Sequence, residues 1–538
     1  MLVDSDRAAG VRLGTSRRGQ SRCAYIIDSN MLPNRWTAFA TIALICPAAT
    51  HAATCERLAS LKLPDTTITL AQTVAAGAFS MPAGGFRATV SPASLPAFCR
   101  VAATLRPSKD SDIKIEVWLP IDGWNGKFQG VGNGGWTGSI SYSALVAALQ
   151  KGYATASTDT GHTGSALDGS FALGHPEKVI DFGYRAVHEM TLKAKAIIAA
   201  YYDQSAQYSY WNGCSSGGKQ GLKEAQRYPE DYDGIIAGAP ANYWTHLMAA
   251  RVWIGAATHQ DPASFIPADK YRMMHEAAIQ ACDAVDGLKD GLIDDPRRCH
   301  FDPKVLECQG DDAPTCLTAP QVAAAKKIYT PAMNPRTGEV IFPGLEPGSE
   351  LGWGLLAGGK EPTELALAEF RNIVYHDPNW DWRTFDFDKS VALAEKVDQN
   401  TITATDPNLK QFFSHGGKLL MYHGWTDPQI PPENSINYYT SVMDKVGGAA
   451  KASSSIRLFM VPGMNHCGGG EGPDSFDSVS VMEQWVEKGN APTEIVASHM
   501  SGGKADRTRP LCAYPQVARY KGSGSIDDAA SFVCTAKP

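Results

Sequence analysis

The segment Gly213-Cys214-Ser215-Ser216-Gly217-Gly218 restricts this chain more than any other stretch. It follows a strand-like run, Tyr208 to Trp211, and opens a helical pattern that stops before Pro229. Gly-x-Ser-x-Gly between a strand and a helix lifts the serine Oγ above a sheet, and the tight turn needs small residues on both sides. The next amide, Ser216 N–H, then points where an oxyanion would develop. The competing reading, a glycine-rich turn that binds phosphate, wants a Walker Lys-Ser/Thr that the segment lacks. Cys214 as the nucleophile would stand one residue early and point off the elbow.

The surroundings repeat the strand–helix rhythm. Ile113 to Leu119 alternates apolar and polar residues, Tyr153 to Ser157 and Ile235 to Ala237 are short apolar runs, and Gly183 to Tyr202 has helical spacing. The rhythm resumes at Lys418 to Tyr422 and Arg457 to Val461, each closed by a glycine-containing turn. Strands alternating with helices predict an α/β fold with a doubly wound sheet. Residues 241–412 lack the rhythm and read as an inserted lid, so the catalytic domain is discontinuous, 53–240 and 413–538.

A hydrolase of this kind orders its triad as serine, acid, histidine. Asp427 falls just past the strand at 418–422, and His466 falls just past the next, in Val461-Pro462-Gly463-Met464-Asn465-His466. Both lie at the carboxyl ends of strands, where ligands of open α/β sheets bind. Ser215 would attack an ester carbonyl, His466 would carry the proton, and Asp427 would hold the imidazolium. Asp474 follows the histidine and breaks the order. His162, His175, His188, His415 and His423 compete with His466, but only His466 comes last after a strand and a glycine turn.

Compartment decides how the twelve cysteines are read. From Met31 the chain carries Arg35, an apolar run from Trp36 to Cys46, and Thr50-His51-Ala52 as a cleavage site, so residues 1–52 read as a leader. The 30 residues ahead of Met31 hold five arginines and read as a long n-region or as upstream of the start. The apolar run is too short to span a bilayer. Removing the leader takes six arginines, three aspartates, Cys23 and Cys46, and moves the net charge from −7 to −10. No basic run stands out, which argues against a nucleic-acid partner. The expectation is a secreted or periplasmic protein with up to five disulfides. No Cys-x2-Cys occurs, so zinc fails as an explanation. Sequential pairing is the simplest arrangement, though connectivity stays open: Cys55 with Cys99, Cys282 with Cys299, Cys308 with Cys316, Cys512 with Cys534. It leaves Cys214 and Cys467, the neighbours of Ser215 and His466. If those two residues meet, a disulfide between their neighbours is geometrically feasible; two unrelated buried thiols are the alternative.

Together these residues resemble the tannase and feruloyl esterase family. The match rests on Trp-Asn-Gly-Cys-Ser-Ser-Gly-Gly at 211–218, Asp-Tyr-Asp-Gly-Ile-Ile-Ala-Gly-Ala-Pro at 231–240, Pro-Gly-Met-Asn-His-Cys at 462–467 and Arg-Pro-Leu-Cys-Ala-Tyr-Pro-Gln at 509–516. The resemblance implies an α/β-hydrolase fold, a Ser215–Asp427–His466 triad backed by a Cys214–Cys467 disulfide, and an oxyanion hole made by the Ser216 and Gly135 amides. It also implies a structural calcium site in the lid and no organic cofactor. Asp283, Asp286 and Asp290 with the carbonyls of Leu288 and Leu292 can form an oxygen cage, unlike an EF-hand in spacing; a solvated acidic loop is the alternative. The family hydrolyses small aromatic esters, including those attached to plant polysaccharide, which ranks feruloyl esterase first, tannase second and mono(2-hydroxyethyl) terephthalate hydrolase third. The last branch carries Glu where this chain has Ser216. Trp353, Phe370, Tyr375, Trp380, Trp382, Phe385 and Phe387 supply lid aromatics, one or two of which should line the pocket, and Arg371 or Arg383 could face a carboxylate. A reading from another class is a calcium-dependent binding protein with a vestigial elbow.

Overall fold

Short runs dense in β-branched and apolar residues form the strands, and the glycine-bearing turns end them. The computed structural model describes residues 54–81 and 92–536; the expected leader, residues 1–52, lies outside them. The strands up to residue 461 are β1 Thr66–Val74, β2 Phe98–Leu105, β3 Ile113–Pro120, β4 Lys127–Val131, β5 Ala154–Thr158, β6 Tyr208–Cys214, β7 Gly234–Gly238, β8 Ala332–Met333, β9 Val340–Phe342, β10 Lys418–Gly424 and β11 Ile456–Val461. All but β8 and β9 join one sheet in the order β1-β2-β3-β5-β4-β6-β7-β10-β11. From β1 to β5 the neighbours are antiparallel, and from β5 to β11 they are parallel.

Alternation along the strands sorts the helices. Leu419, Met421, Ile456 and Leu458 share a core with the helices Ala186–Tyr202, Ser216–Arg227 and Glu433–Val446. Their neighbours Leu420, Phe459 and Val461 pack with Met482 and Trp485 of the helix Ser478–Lys488. Both faces are therefore covered, as a parallel sheet requires. β4 lies between β5 and β6, so chain direction across the sheet reverses there and opens a crevice at the carboxyl ends. Register aligns the ends that matter: Val131 with Asn212, Cys214 with Gly238, and Gly424 with Val461.

The segment 241–412 holds helices Trp244–His259, Tyr271–Cys282, Ala319–Tyr329 and Lys389–Asp398, with the small β8–β9 hairpin. It is stapled locally by Cys282–Cys299 and Cys308–Cys316. After residue 490 come two hairpins, β12 Glu494–Ser501 with β13 Lys504–Cys512 and β14 Val517–Tyr520 with β15 Phe532–Thr535, tied by Cys512–Cys534. Cys55–Cys99 pins the first described turn to β2. The helix expected from Gly183 instead starts at Pro176 and passes through a π-helical turn, Asp181–Arg185, where Arg185 Nε donates to the buried Asp181 at 2.5 Å.

Candidate active site

The elbow is built by backbone crowding. β6 runs to Cys214, Ser215 takes φ 62°, ψ −123°, and the helix begins at Ser216. A Cβ on Gly213 would come within 2.4 Å of the Gly217 carbonyl oxygen, so the turn closes only without one. Ser215 N–H donates to Gly238 O at 3.0 Å, and Ala241 N–H donates to Ser215 O at 3.1 Å. The strained residue is thus held on both its N–H and its C=O by the end of β7 and the turn that follows it.

Ser216 opens its helix, so its N–H points out of the helix start. Its Oγ donates to the Gly135 carbonyl at 2.9 Å and ties the β4 loop to the elbow. Gly135 sits at φ 53°, and a Cβ there would meet Ala166 O at 2.4 Å. Gly135, Ser215, Ser216 and His466 line one cavity of about 540 Å3.

Asp427 is fully buried beyond β10. Its Oδ2 accepts from His466 Nδ1 at 2.7 Å, and its Oδ1 accepts the Gln429 and Ile430 N–H groups at 2.7 and 3.0 Å. Burial works against its charge, but His466 and the hydrogen bonds from His423 and His466 outweigh burial and hold the carboxyl well below the usual range. With Nδ1 engaged, His466 Nε2 is the nitrogen left to serve the cavity. Cys467, at φ 64°, turns the chain away from His466, and Asp474 accepts Gly469 N–H at 2.5 Å to brace that turn. Cys214 and Cys467 are bonded, with Cα atoms 5.9 Å apart, which ties together the segments that carry Ser215 and His466 across a sequence separation of 253.

By sequence His423 is one of several competing histidines; the structure gives it a place beside the acid. It is wholly buried, and its Nε2 lies 3.1 Å from Asp427 Oδ2 and 2.9 Å from Ile430 O. Two acceptors there require Nε2–H, so the Ser435 hydroxyl donates to Nδ1 at 2.7 Å. The i, i+4 spacing of His423 and Asp427 across a strand end carries no helical signal, which is why sequence gave no warning. The other candidates serve elsewhere: His162 stacks on Phe171, His188 and His175 pair with Asp231 and Asp110, and His415 lies by Glu230.

The pocket walls differ from expectation. None of Trp353, Phe370, Tyr375, Trp380, Trp382, Phe385 and Phe387 lines the cavity; Phe370, Trp380 and Phe385 pack on one another instead. The aromatic wall is Trp244, with Leu167, Leu355, Leu356 and Leu365. Trp244 Nε1 donates to Glu369 at 3.0 Å, and its ring meets Trp136 edge-on at 4.7 Å, so the wall is rigid. Arg371 pairs with Glu364 at 3.0 Å and Arg383 with Asp381 at 3.1 Å, so neither faces the cavity. Arg251, which sequence did not single out, does.

In the acidic loop, Asp283 Oδ1 accepts Asp290 and Gly291 N–H, Asp286 accepts Leu288 N–H, and Asp290 accepts both Leu292 N–H and Arg509. Asp294 joins them. Burial, then the charges of Asp286, Asp295 and Asp290, push its carboxyl up to about 7 against the pull of Arg509. That surplus of buried negative charge is a donor set suited to a hard cation.

The sheet, the strand-end crevice and the elbow define an α/β hydrolase that acts on carboxylic esters. The chain belongs to the tannase and feruloyl esterase family, which it matches over residues 99–535. It is 40% identical to an uncharacterized esterase of Xanthomonas campestris pv. campestris, covering 93% of this chain and 94% of that one. It is 33% identical to a probable feruloyl esterase B-2 of Neosartorya fischeri over 81% and 86% of the two chains. Among solved structures, feruloyl esterase B from Aspergillus oryzae superposes with a TM-score of 0.84 at 31% identity, covering 90% of this chain and all (100%) of that one. Tannin acyl hydrolase from Aspergillus niger shares the fold at TM-score 0.74 and 23% identity, over 89% and 93%.

Proposed function

We propose that this chain is a secreted serine esterase that cleaves esters of aromatic acids, feruloyl esters first, through a Ser215–His466–Asp427 triad. The observation that carries the reading is the Asp427–His466 hydrogen bond of 2.7 Å beside a disulfide that joins the residues next to Ser215 and His466. Ser215 Oγ attacks the carbonyl as His466 Nε2 takes its proton. The Ser216 and Gly135 amides receive the oxyanion. His466 returns the proton to the departing alcohol, and water then releases the acid by the same steps. The apolar cavity with Trp244 as its flat wall suits a planar acyl group.

The similarity to a feruloyl esterase B over nearly its whole length favours the feruloyl acyl group, and the shared fold with a tannin acyl hydrolase keeps a galloyl ester as second choice. Five disulfides fit an oxidising compartment, and no helix of the described residues is long and apolar enough to cross a membrane. Calcium held by Asp283, Asp286, Asp290 and the carbonyls of Leu288 and Leu292, with Asp294 added, would fasten the lid loop. The test is kcat/KM on methyl ferulate, methyl gallate and a terephthalate monoester for the wild type and Ser215→Ala. Methyl ferulate should outrun methyl gallate, and the variant should lose all three; equal rates in wild type and variant would overturn the assignment.

A further inference from the structure

A guanidinium buried without a carboxylate is costly, because its charge has left water and gained no counter-ion. Arg251 is in that condition. It lies in the helix Trp244–His259, where Trp244, Met248 and Arg251 recur at i, i+4 and i+7 and so share a face. The residue is 4% exposed and lines the same cavity as Ser215 and His466. Its protein contacts are weak: one terminal nitrogen lies 3.7 Å from Met248 Sδ, and the other lies 3.4 Å from Gln429 O. Its Nε is buried with no acceptor. Among the described residues no acid stands at ion-pair distance. The acid whose charge reaches it is Asp427, whose oxygens already serve His466, His423 and two backbone N–H groups.

From this we infer that Arg251 is an anion subsite of the active-site cavity, and that the preferred aromatic ester carries a free carboxylate which the guanidinium binds. The inference rests on the serine-esterase reading above and names the substrate class within it. A planar guanidinium fork matches a carboxylate with two donors, and a dry site makes that pair strong. A neutral ester would leave the donors of Arg251 unpaired in the complex, so the cavity discriminates against it. The carboxylate could sit on the acyl ring or on the alcohol, and the same guanidinium would read either.

Matched pairs separate those sources: monomethyl against dimethyl terephthalate for the acyl side, and O-feruloyl glycolate against ethyl ferulate for the alcohol side. In the wild type one charged ester should exceed its neutral partner in kcat/KM by about tenfold or more. In Arg251→Gln that ratio should collapse about tenfold, to near unity, through KM rather than kcat, with Arg251→Lys recovering part of it. A ratio unchanged in Arg251→Gln, with both esters slowed alike, would overturn the subsite and leave the esterase standing. Loss of Ser215-dependent hydrolysis on every ester would instead refute the esterase reading. A measurement on the wild type alone guards against a misfolded variant: benzoate should inhibit methyl ferulate hydrolysis about tenfold more tightly than benzamide, and equal inhibition would count against the subsite.

Discussion

Asp427 shows how one buried carboxylate is kept charged. Two imidazoles and two backbone N–H groups surround it, and His466 takes its direction from that anchored acid. Asp427→Asn should keep the shape but offer His466 the wrong partner, lowering kcat by about 10³-fold or more with little change in KM. His423→Gln should weaken the anchor and cost about tenfold in kcat, measured beside an unchanged KM. Because folding lowers the carboxyl's pKa, its contribution to stability is present above the usual carboxylate range and is lost as pH falls towards the folded value. Order and strand ends single out Ser215, Asp427 and His466, and the structure pairs the last two. His423 was not legible, since a lone histidine before a turn has no periodicity to mark it. Arg251 was hidden inside an apolar helix whose facing side only tertiary packing reveals.

At the scale of elements, the informative contacts join segments remote in sequence. Cys214–Cys467 closes a loop spanning a sequence separation of 253. By chain entropy it contributes up to about 5 kcal/mol, and it also sets the elbow against the histidine turn. Cys214→Ala with Cys467→Ala should therefore lower kcat/KM on methyl ferulate about tenfold or more at temperatures where the chain stays folded; unaltered kinetics would argue that the tether positions nothing. His275, on the helix Tyr271–Cys282, spans Glu350 at 3.1 Å and Glu471 at 2.8 Å. Burial opposes its charge, yet those two hydrogen bonds prevail and push its pKa up to about 9. A raised pKa stabilises the folded state below about 6.5, and that gain disappears as pH climbs through about 9. The melting temperature should fall across that interval, and His275→Gln should flatten the fall. The parallel strands β6, β7, β10 and β11 were legible because each is a short, largely apolar run closed by a glycine-containing turn. The antiparallel β1 and β2 and the C-terminal hairpins escaped, since β1 is half exposed and β12 and β13 mix charge into their alternation.

For the whole molecule, the strand ends of the sheet carry the proposed triad, and the segment 241–412 contributes most of the cavity's apolar wall. Trp244, Leu355, Leu356 and Leu365 close the cavity over Ser215. The lid's other aromatics, though abundant, hold the lid together; composition named the supply of rings but not which ring turns inward. The acidic loop sits within this segment, where Arg509 of β13 reaches Asp290 at 2.6 Å and couples the C-terminal hairpins to the lid. Chelation of the calcium proposed for this loop should lower the melting temperature by several degrees, the effect expected when about 3–4 kcal/mol of ligand stabilisation is withdrawn. Asp286→Ala should abolish the response, and a melting curve indifferent to chelator would refute the site. Covalent trapping tests the central claim most directly. After reaction with an organophosphate ester such as paraoxon, peptide mapping should place the phosphoryl adduct on Ser215 in step with lost hydrolysis of methyl ferulate. Full inactivation with Ser215 unmodified, or an adduct on another side chain, would contradict it.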